Sequence, residues 1–222
     1  MKRLTKSAAK AAAERNTLST DLAEGEISKG DNSKMRILDA AAYVLSRRGY
    51  AGTRLEDIAK QAKLKISTLY YHFESREELV LEVLLTGSQR VKRHTEEAVA
   101  MLPLDASSMD RLCAAVEAHL RYILEISHYS EATIRNTGQL PDRLRRAVME
   151  EQLKYGQFWQ ALVDGAAGTG VCASANERRA LRLLIIGALN WTIEWWKPGR
   201  ISIDEVVTAA LTMTRRTLNA SR

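Results

Sequence analysis

Apolar residues recur at helical spacing along most of the chain, beginning with a run that ends at Arg48. This run predicts a first helix from a cap at Asn32 or Ser33 to Arg48, with Gly49 supplying the left-handed residue that stops it. Its inward face consists of Ile37, Leu38, Ala41, Val44 and Leu45. Because helical spacing continues towards the carboxyl end and the 222 residues include only three prolines, the pattern predicts an all-α fold.

The stretch from Thr53 to Leu79 predicts two short helices joined by a tight turn and followed at once by a longer helix. A capping box of Thr53 with Glu56 marks the first of these starts, and one of Ser75 with Glu78 marks the last. Two short helices in this order are typical of a helix-turn-helix unit, whose second helix enters the DNA major groove.

The second short helix has an unusual outward face. Leu69 and Phe73 lie four residues apart and face inward, which leaves hydroxyl, phenol and imidazole groups outside. Lys63 and Lys65 precede this helix, and Arg76 follows it. Such groups suit a surface that reaches phosphates and base edges, whereas an ordinary solvated face carries mostly Glu and Lys. The outward residues are Ser67, Thr68, Tyr70, Tyr71 and His72.

These residues define a predicted DNA-binding surface. Residues expected mainly to hold phosphates are Thr53, Lys63, Lys65 and Arg76. Residues expected to face the groove are Ile66, Ser67, Thr68, Tyr70, Tyr71 and His72, of which Tyr70 and His72 touch the DNA backbone. Charge agrees with this placement, because residues 34 to 80 carry nine basic against six acidic side chains, a denser excess than elsewhere in a chain of net charge +6.

The remaining helices predict a second domain that pairs with a copy of itself. Predicted helices run from Ser75 to about Met101, Arg111 to His128, Ser130 to about Thr137, Asp142 to Asp164, Ser174 to about Trp196 and Ser202 to about Asn219. The last two open with capping boxes, Ser174 with Glu177 and Ser202 with Glu205, and are apolar around much of their circumference. One face can cover the domain, so the other predicts a homodimeric four-helix bundle.

The sequence gives little support for a metal site, a cofactor site, a catalytic site or a membrane segment. Cys113 and Cys172 have no metal-ligand or redox spacing, the histidines share none with each other, and no nucleophile motif occurs, so we expect no metal, no cofactor and no catalysis. The chain also lacks a secretory leader pattern and an apolar run long enough to span a bilayer. The expected location is therefore cytoplasmic, with no membrane partner.

Aromatic residues concentrate in the second domain and could line an apolar pocket with a few polar groups, although single aromatic residues are more often core. The predicted ligand-binding set is His119, Tyr122, Arg135, Tyr155, Trp159, Trp191 and Trp195.

The run from Leu55 to Leu79 resembles the helix-turn-helix of the TetR family of bacterial transcriptional repressors. The motif is carried by Leu55, Ile58-Ala59, Leu64, Thr68-Leu69-Tyr70, His72-Phe73 and Ser75-Arg76-Glu77-Glu78-Leu79. The resemblance is close from Met35 to about Leu84. Lys63 stands where a glycine is common at the turn, which places a Cβ at a position that favours positive φ at a cost of about 1 kcal/mol. Ser67 also replaces a frequent glycine.

Residues 1–32 carry too few large aliphatic side chains to build a core, so their composition predicts a flexible N-terminal arm. The rest of the chain is expected to form a three-helix helix-turn-helix domain (33–80) and a helical effector-binding and dimerisation domain (81–222). The runs Gly187-Ala188-Leu189-Asn190-Trp191 and Trp195-Trp196-Lys197-Pro198-Gly199 look like a signature of TetR-type regulators of fatty-acid and acyl-CoA catabolism, although a structural role in dimerisation would also explain them. The implied function is a homodimeric repressor that leaves a palindromic operator when a small apolar or acyl-CoA-type effector binds. Two alternatives stay open: a helical acyl-binding or scaffold protein whose N-terminal module docks another protein, and an enzyme with a helix-turn-helix.

Overall fold

A computed structural model describes residues 31–126, 128–167 and 174–219, and these are almost entirely helical, with no strand among them. This confirms the predicted all-α fold. The helices are α1 (31–52), α2 (Leu55–Ala62), α3 (Ile66–His72), α4 (Arg76–Ala100), α5 (Ser108–Arg121), α6 (His128–Asn136), α7 (Asp142–Ala166), α8 (Ala175–Trp195) and α9 (Ile203–Asn219). Nearly all of the predicted arm (1–32) lies outside the described residues, as does Cys172.

Side-chain caps fix several helix starts, as the sequence predicts. Ser174 and Glu177 form a reciprocal capping box at α8. At α9 the Ser202 backbone amide donates to the Glu205 carboxylate (2.8 Å), and the Glu205 amide donates to the Ser202 hydroxyl (3.2 Å). At α4 only half of the predicted capping box forms: the Ser75 hydroxyl accepts from the Glu78 amide, but the Glu78 carboxylate accepts from the Glu74 amide (2.7 Å) rather than from that of Ser75.

One predicted cap is wrong. Helix α2 begins after Arg54, which makes no side-chain capping bond, so no capping box of Thr53 with Glu56 forms. The Thr53 hydroxyl instead donates to the Gly49 carbonyl at 2.7 Å, at the carboxyl end of α1. Gly49 has the predicted left-handed conformation, with φ +70, but α1 continues past it to residue 52 instead of stopping there.

The first four helices pack around a core that continues into the second domain. Ile37, Ile58 and Leu79 are fully buried there, and Leu69 is 1% exposed. The same apolar cluster includes residues from α6, the segment before α7, and α7: Tyr129, Ala132, Leu140, Leu144 and Val148. The N-terminal helices therefore rest on α6 and α7 as well as on α4, which they share with the second domain.

A second apolar cluster holds α5, α7, α8 and α9 together with the carboxyl half of α4. Trp159 lies at its centre and is fully buried. The predicted single helix from Arg111 to His128 is wrong in detail, because α5 ends at Arg121 and a π-helical segment (Tyr122–Ile126) precedes α6. Extra residues in a π-helical turn rotate the side chains that follow, so periodicity counted across this segment misassigns faces.

Helices α8 and α9 keep an exposed apolar stripe. On α8 the exposed side chains are Leu184 (71%), Trp191 (65%) and Trp195 (47%), and on α9 Met213 is 40% exposed. Residues 184, 191 and 195 recur at helical spacing along one face of α8. A stripe of large apolar side chains at this spacing is typical of a surface that meets a protein partner.

Candidate nucleic-acid interface and internal cavity

Helix α3 presents the surface predicted from its sequence. Leu69 is buried beneath it, and Phe73 follows its last residue and is 3% exposed. Tyr70 and Tyr71 are 57% and 84% exposed, so both phenols project into solvent. Ser67 is exposed as well, whereas Ile66, Thr68 and His72 are half-buried. Ile66 packs partly against the core.

The turn before α3 positions two lysines. Lys63 adopts φ 54 and ψ 44, so it occupies the left-handed position where a glycine is common. Its backbone amide bonds to the carbonyls of Ala59 and Lys60, which ends α2. Both Lys63 and Lys65 are exposed beside the start of α3. The two ammonium groups can therefore reach phosphates on either side of a groove that α3 enters.

The Arg76 side chain is held by bonds within the protein, so it does not extend freely towards a DNA phosphate. Its Nη1 donates to the backbone carbonyls of Tyr50 (2.9 Å) and Thr53 (3.1 Å), and its guanidinium lies 4.5 Å from the centre of the Tyr50 ring. It also pairs with Glu77 at 3.2 Å, and backbone and Arg76 contacts lower the pKa of that carboxyl. Thr53 is only 1% exposed. Both side chains therefore brace the turn after α1, and the predicted phosphate contacts of these two residues lose their support.

An internal cavity of about 500 Å³ lies between α4, α5, α6, α7 and α8. Of the seven predicted ligand-binding residues, His119 and Tyr155 line it, and Trp159 packs edge-on against the His119 ring behind its wall. The lining residues that sequence reasoning missed are Gly87, Ser88, Val91, Ile123, Ser130, Thr133, Ile134, Thr137, Met149, Gln152, Leu153, Gly156, Arg182, Leu183, Ile186, Gly187 and Asn190. Gly187 and Asn190 belong to the run on α8 that resembles a signature of acyl-CoA regulators, so the sequence did carry a signal for them. The small and aliphatic side chains on α4 and α6 had no feature in the sequence that separated them from ordinary core.

The other predicted ligand residues lie elsewhere. Tyr122 is buried against His94, with ring centres 5.0 Å apart. Arg135 pairs with Glu131 and, at 2.8 Å, with Glu194. Trp191 and Trp195 are on the exposed stripe of α8, outside the cavity. We therefore remove these four residues from the candidate ligand site.

A chain of hydrogen bonds crosses the cavity wall. Thr95 Oγ1 and the Tyr155 hydroxyl are 2.9 Å apart, Tyr155 and His119 Nδ1 3.0 Å, and His119 Nε2 and Asn190 Oδ1 3.0 Å. The Thr95 hydroxyl also donates to the Val91 carbonyl at 2.8 Å, so its single proton is shared between that carbonyl and the Tyr155 hydroxyl. Donation from the Tyr155 hydroxyl to Nδ1 and from Nε2–H to Asn190 Oδ1 satisfies both ring nitrogens of a neutral imidazole. Burial lowers the pKa of His119 to about 4, against a smaller opposing effect of the Asn190 bond, and burial raises the pKa of Tyr155. Both side chains are uncharged at neutral pH.

Within residues 31–126, 128–167 and 174–219, no group of three or more His, Cys, Asp or Glu side chains is arranged to hold a metal ion. None of the helices in these ranges is both long and apolar enough to cross a bilayer.

Comparison with known proteins identifies both halves of this architecture. The family model "Bacterial regulatory proteins, tetR family" matches residues 37–83, and the model "Tetracyclin repressor-like, C-terminal domain" matches residues 105–218, about half of the chain. The fatty acid metabolism regulator protein of Bacillus subtilis (strain 168) is 21% identical over 162 residues, covering 73% of this chain and 82% of that protein.

Solved structures share the fold. AibR in complex with isovaleryl coenzyme A and operator DNA has a TM-score of 0.73 at 21% identity, covering 82% of this chain and 97% of that one. The TetR family regulator PfmR from Thermus thermophilus has a TM-score of 0.67 at 23% identity, covering 83% of this chain and 100% of that one. The two family models favour a regulator over the acyl-binding scaffold protein and the enzyme considered as alternatives. The chain belongs to the TetR family and is a DNA-binding transcriptional regulator rather than an enzyme.

Proposed function

We propose that the protein is a homodimeric repressor that binds a palindromic operator and leaves it when an apolar effector enters the cavity. The observation that carries this proposal is the exposed face of α3, where Tyr70 and Tyr71 project from a helix fixed underneath by Leu69. Exposed phenols on a rigid helix are suited to a DNA groove, because a phenol both donates and accepts hydrogen bonds.

The proposed DNA contacts follow from exposure. Ser67, Tyr70 and Tyr71 face the groove, and Lys63 and Lys65 hold phosphates on its edges. At the margins of this surface lie the half-buried residues Ile66, Thr68 and His72. Arg76 and Thr53 act indirectly, since they fix the turn that holds α2 against α1.

Dimerisation would proceed through the exposed stripe of α8 and the neighbouring face of α9. Burying Leu184, Trp191 and Met213 against a second copy removes apolar surface from water, at about 25 cal/mol per Å². A two-fold dimer also places two α3 helices to meet half-sites roughly 34 to 36 Å apart on the duplex. The operator is therefore expected to be palindromic.

The cavity is the proposed effector site. Its volume falls within the range of small-molecule pockets, roughly 300 to 1,000 Å³, and aliphatic side chains of four helices line it. Similarity to a fatty acid metabolism regulator and to AibR, which was solved with isovaleryl coenzyme A, supports an acyl-CoA or related apolar effector.

Helix α6 connects the cavity with the DNA-binding helices. Thr133 lines the cavity, and its hydroxyl, which donates to the Tyr129 carbonyl at 2.9 Å, also lies 3.3 Å from the Leu84 carbonyl of α4. One turn before and one turn after Thr133 on α6, the Tyr129 hydroxyl donates to Asp39 of α1 at 2.7 Å, and Asn136 Nδ2 donates to the Leu45 carbonyl at 3.3 Å. An effector that displaces α4 and α6 would therefore move α1 and change the distance between the two α3 helices.

Fluorescence anisotropy with DNA from upstream of the gene, titrated at several salt concentrations, tests the DNA-binding surface. Lys65→Ala should weaken binding and reduce the salt slope by about one for each operator half-site, because each phosphate contact releases condensed counterions. Arg146→Ala, which removes one exposed charge from α7, serves as the control and should leave the slope unchanged. An unchanged slope in Lys65→Ala would remove this residue from the interface, and no binding by the unmodified protein to any upstream fragment would refute the repressor proposal.

A further inference from the structure

The Ser88 hydroxyl, in the cavity wall, has no hydrogen-bond partner among the residues that the structure describes. Ser88 is 6% exposed and lines the cavity from α4. The carbonyl one helical turn earlier, that of Leu84, is also approached by the Thr133 hydroxyl at 3.3 Å, which donates mainly to the Tyr129 carbonyl at 2.9 Å. The hydroxyl, phenol, imidazole and amide of the chain from Thr95 to Asn190 are by contrast bonded to one another.

A buried hydroxyl without a partner is uncommon in folded proteins, because it has lost its bonds to water. At a cavity wall, a ligand oxygen can restore such a bond. The neutral His119 and Tyr155 supply no positive charge at this inner end. A carboxylate buried there would stay unpaired, so the inner end favours an uncharged hydroxyl or carbonyl group.

The outer end of the cavity has the opposite character. Met149, Leu153 and Leu183 are each more than half exposed, which places the mouth between α7 and α8. Arg182 lies beside Leu183 and is the single cation, with no acidic residue, among the described residues that line the cavity.

The Arg182 guanidinium is also not neutralised by an ion pair with any described side chain. Its Nε donates to the neutral Gln160 amide oxygen at 3.0 Å. Gly156 leaves space for it, since a Cβ at that position would lie 3.0 Å from Arg182 Nη1. Its outer nitrogens can therefore face an anion at the mouth.

Building on the proposed effector role of the cavity, we propose that its ligand is an elongated apolar compound with two polar ends. An uncharged hydroxyl or carbonyl group bonds to Ser88 inside, and an anionic group pairs with Arg182 at the mouth. The aliphatic lining holds the body of the ligand between them, so a compound that carries only one of the two polar groups binds more weakly.

Calorimetric titration of the full chain with ω-hydroxy fatty acids of increasing length, and with the matched fatty acids and primary alcohols, tests both ends separately. At the best length the hydroxy acid should bind roughly two- to tenfold more tightly than the fatty acid, and roughly tenfold more tightly than the alcohol. Ser88→Ala should abolish the first difference and keep the second. Arg182→Ala should do the reverse, and only the second difference should shrink with salt.

Two variants serve as matched controls. Ser46→Ala removes another buried serine hydroxyl, from α1, that does not line the cavity, and Arg179→Ala removes an exposed arginine from α8; both should keep the two differences. The proposal is overturned if Ser88→Ala still binds the hydroxy acid more tightly than the fatty acid, or if Arg182→Ala still binds the hydroxy acid more tightly than the alcohol. It is also overturned if the unmodified protein binds no member of the series. Operator binding is measured separately on the same preparation, so failure of the ligand assignment stays distinguishable from failure of the repressor function.

Discussion

Gly87 lies where α4 crosses α6, and replacing it with alanine tests how tightly this crossing is packed. A Cβ at Gly87 would lie 2.7 Å from Thr133 Oγ1 and 2.8 Å from the Tyr129 carbonyl oxygen. The hydroxyl could rotate away, but the carbonyl belongs to the α6 backbone. Helix α6 cannot retreat without disturbing the bond from the Tyr129 hydroxyl to Asp39.

The expected magnitude follows from two opposing terms. Overpacking of this kind costs about 1–3 kcal/mol, whereas alanine in a helix interior is favoured over glycine by about 1 kcal/mol. Gly187→Ala, in the interior of α8, has the same helical gain without the backbone contact, because its Cβ would meet no described atom beyond its own helix within 4 Å. Gly87→Ala should therefore be about 1–3 kcal/mol less stable than Gly187→Ala, which is a difference in Tm of roughly 2–12 °C for a chain of this size.

Thermal unfolding followed by circular dichroism measures this difference directly. Equal melting temperatures for the two variants would show that α4 and α6 separate easily, and the proposed transmission from the cavity through α6 would then lose its mechanical basis. Because displacement of α6 moves α1, Gly87→Ala should also weaken operator binding in the anisotropy assay, with no change of salt slope.

Three further predictions use other parts of the molecule. Arg76→Ala should lower the Tm and weaken operator binding, but unlike Lys65→Ala it should keep the salt slope of operator binding unchanged. A reduced slope would show that Arg76 contacts a phosphate after all. Burial lowers the pKa of His119 from 6.5 to about 4, so between these pH values the unfolded state binds more protons than the folded state. The free energy of unfolding should therefore fall as the pH drops from 6.5 to about 4, by on the order of 3 kcal/mol from this residue. In denaturant titrations His119→Asn should lose less stability over this pH range, and an equal loss would contradict the buried neutral imidazole. Leu184→Glu should yield monomers in analytical ultracentrifugation, whereas Leu104→Glu, at a 99% exposed position, should not; a dimeric Leu184→Glu protein would place the dimer interface elsewhere.

Local chemistry could be predicted from the sequence because it depends on neighbours a few residues apart. The capping box of Ser174 with Glu177 and the outward direction of Tyr70 and Tyr71 follow from spacing within one helix. Arg76 could not be placed in this way, since its carbonyl partners, at residues 50 and 53, lie at and just after the carboxyl end of α1.

The candidate ligand site was harder to predict from the sequence. The spacing of apolar residues shows that a helix face is apolar, but it does not show whether that face packs in the core, lines a cavity or meets a partner. Trp191 faces outward on α8, while His119 lines the cavity, although both lie on apolar helices. Ser88 was not predicted as a ligand-binding residue, because a serine within a helical sequence is normally expected to face solvent. Only the packing of α4 against the other helices buries it. The π-helical segment after Arg121 further changed which side chains share a face.

The apolar cluster that joins the first three helices to Tyr129, Leu144 and Val148 has a consequence for protein engineering. In a hybrid regulator made by joining this amino-terminal portion to another family member at residue 80, the two sides of this apolar interface would come from different proteins and would not be complementary. DNA specificity can be transferred more safely by exchanging the few exposed side chains of α3, because their replacement leaves the apolar interface unchanged.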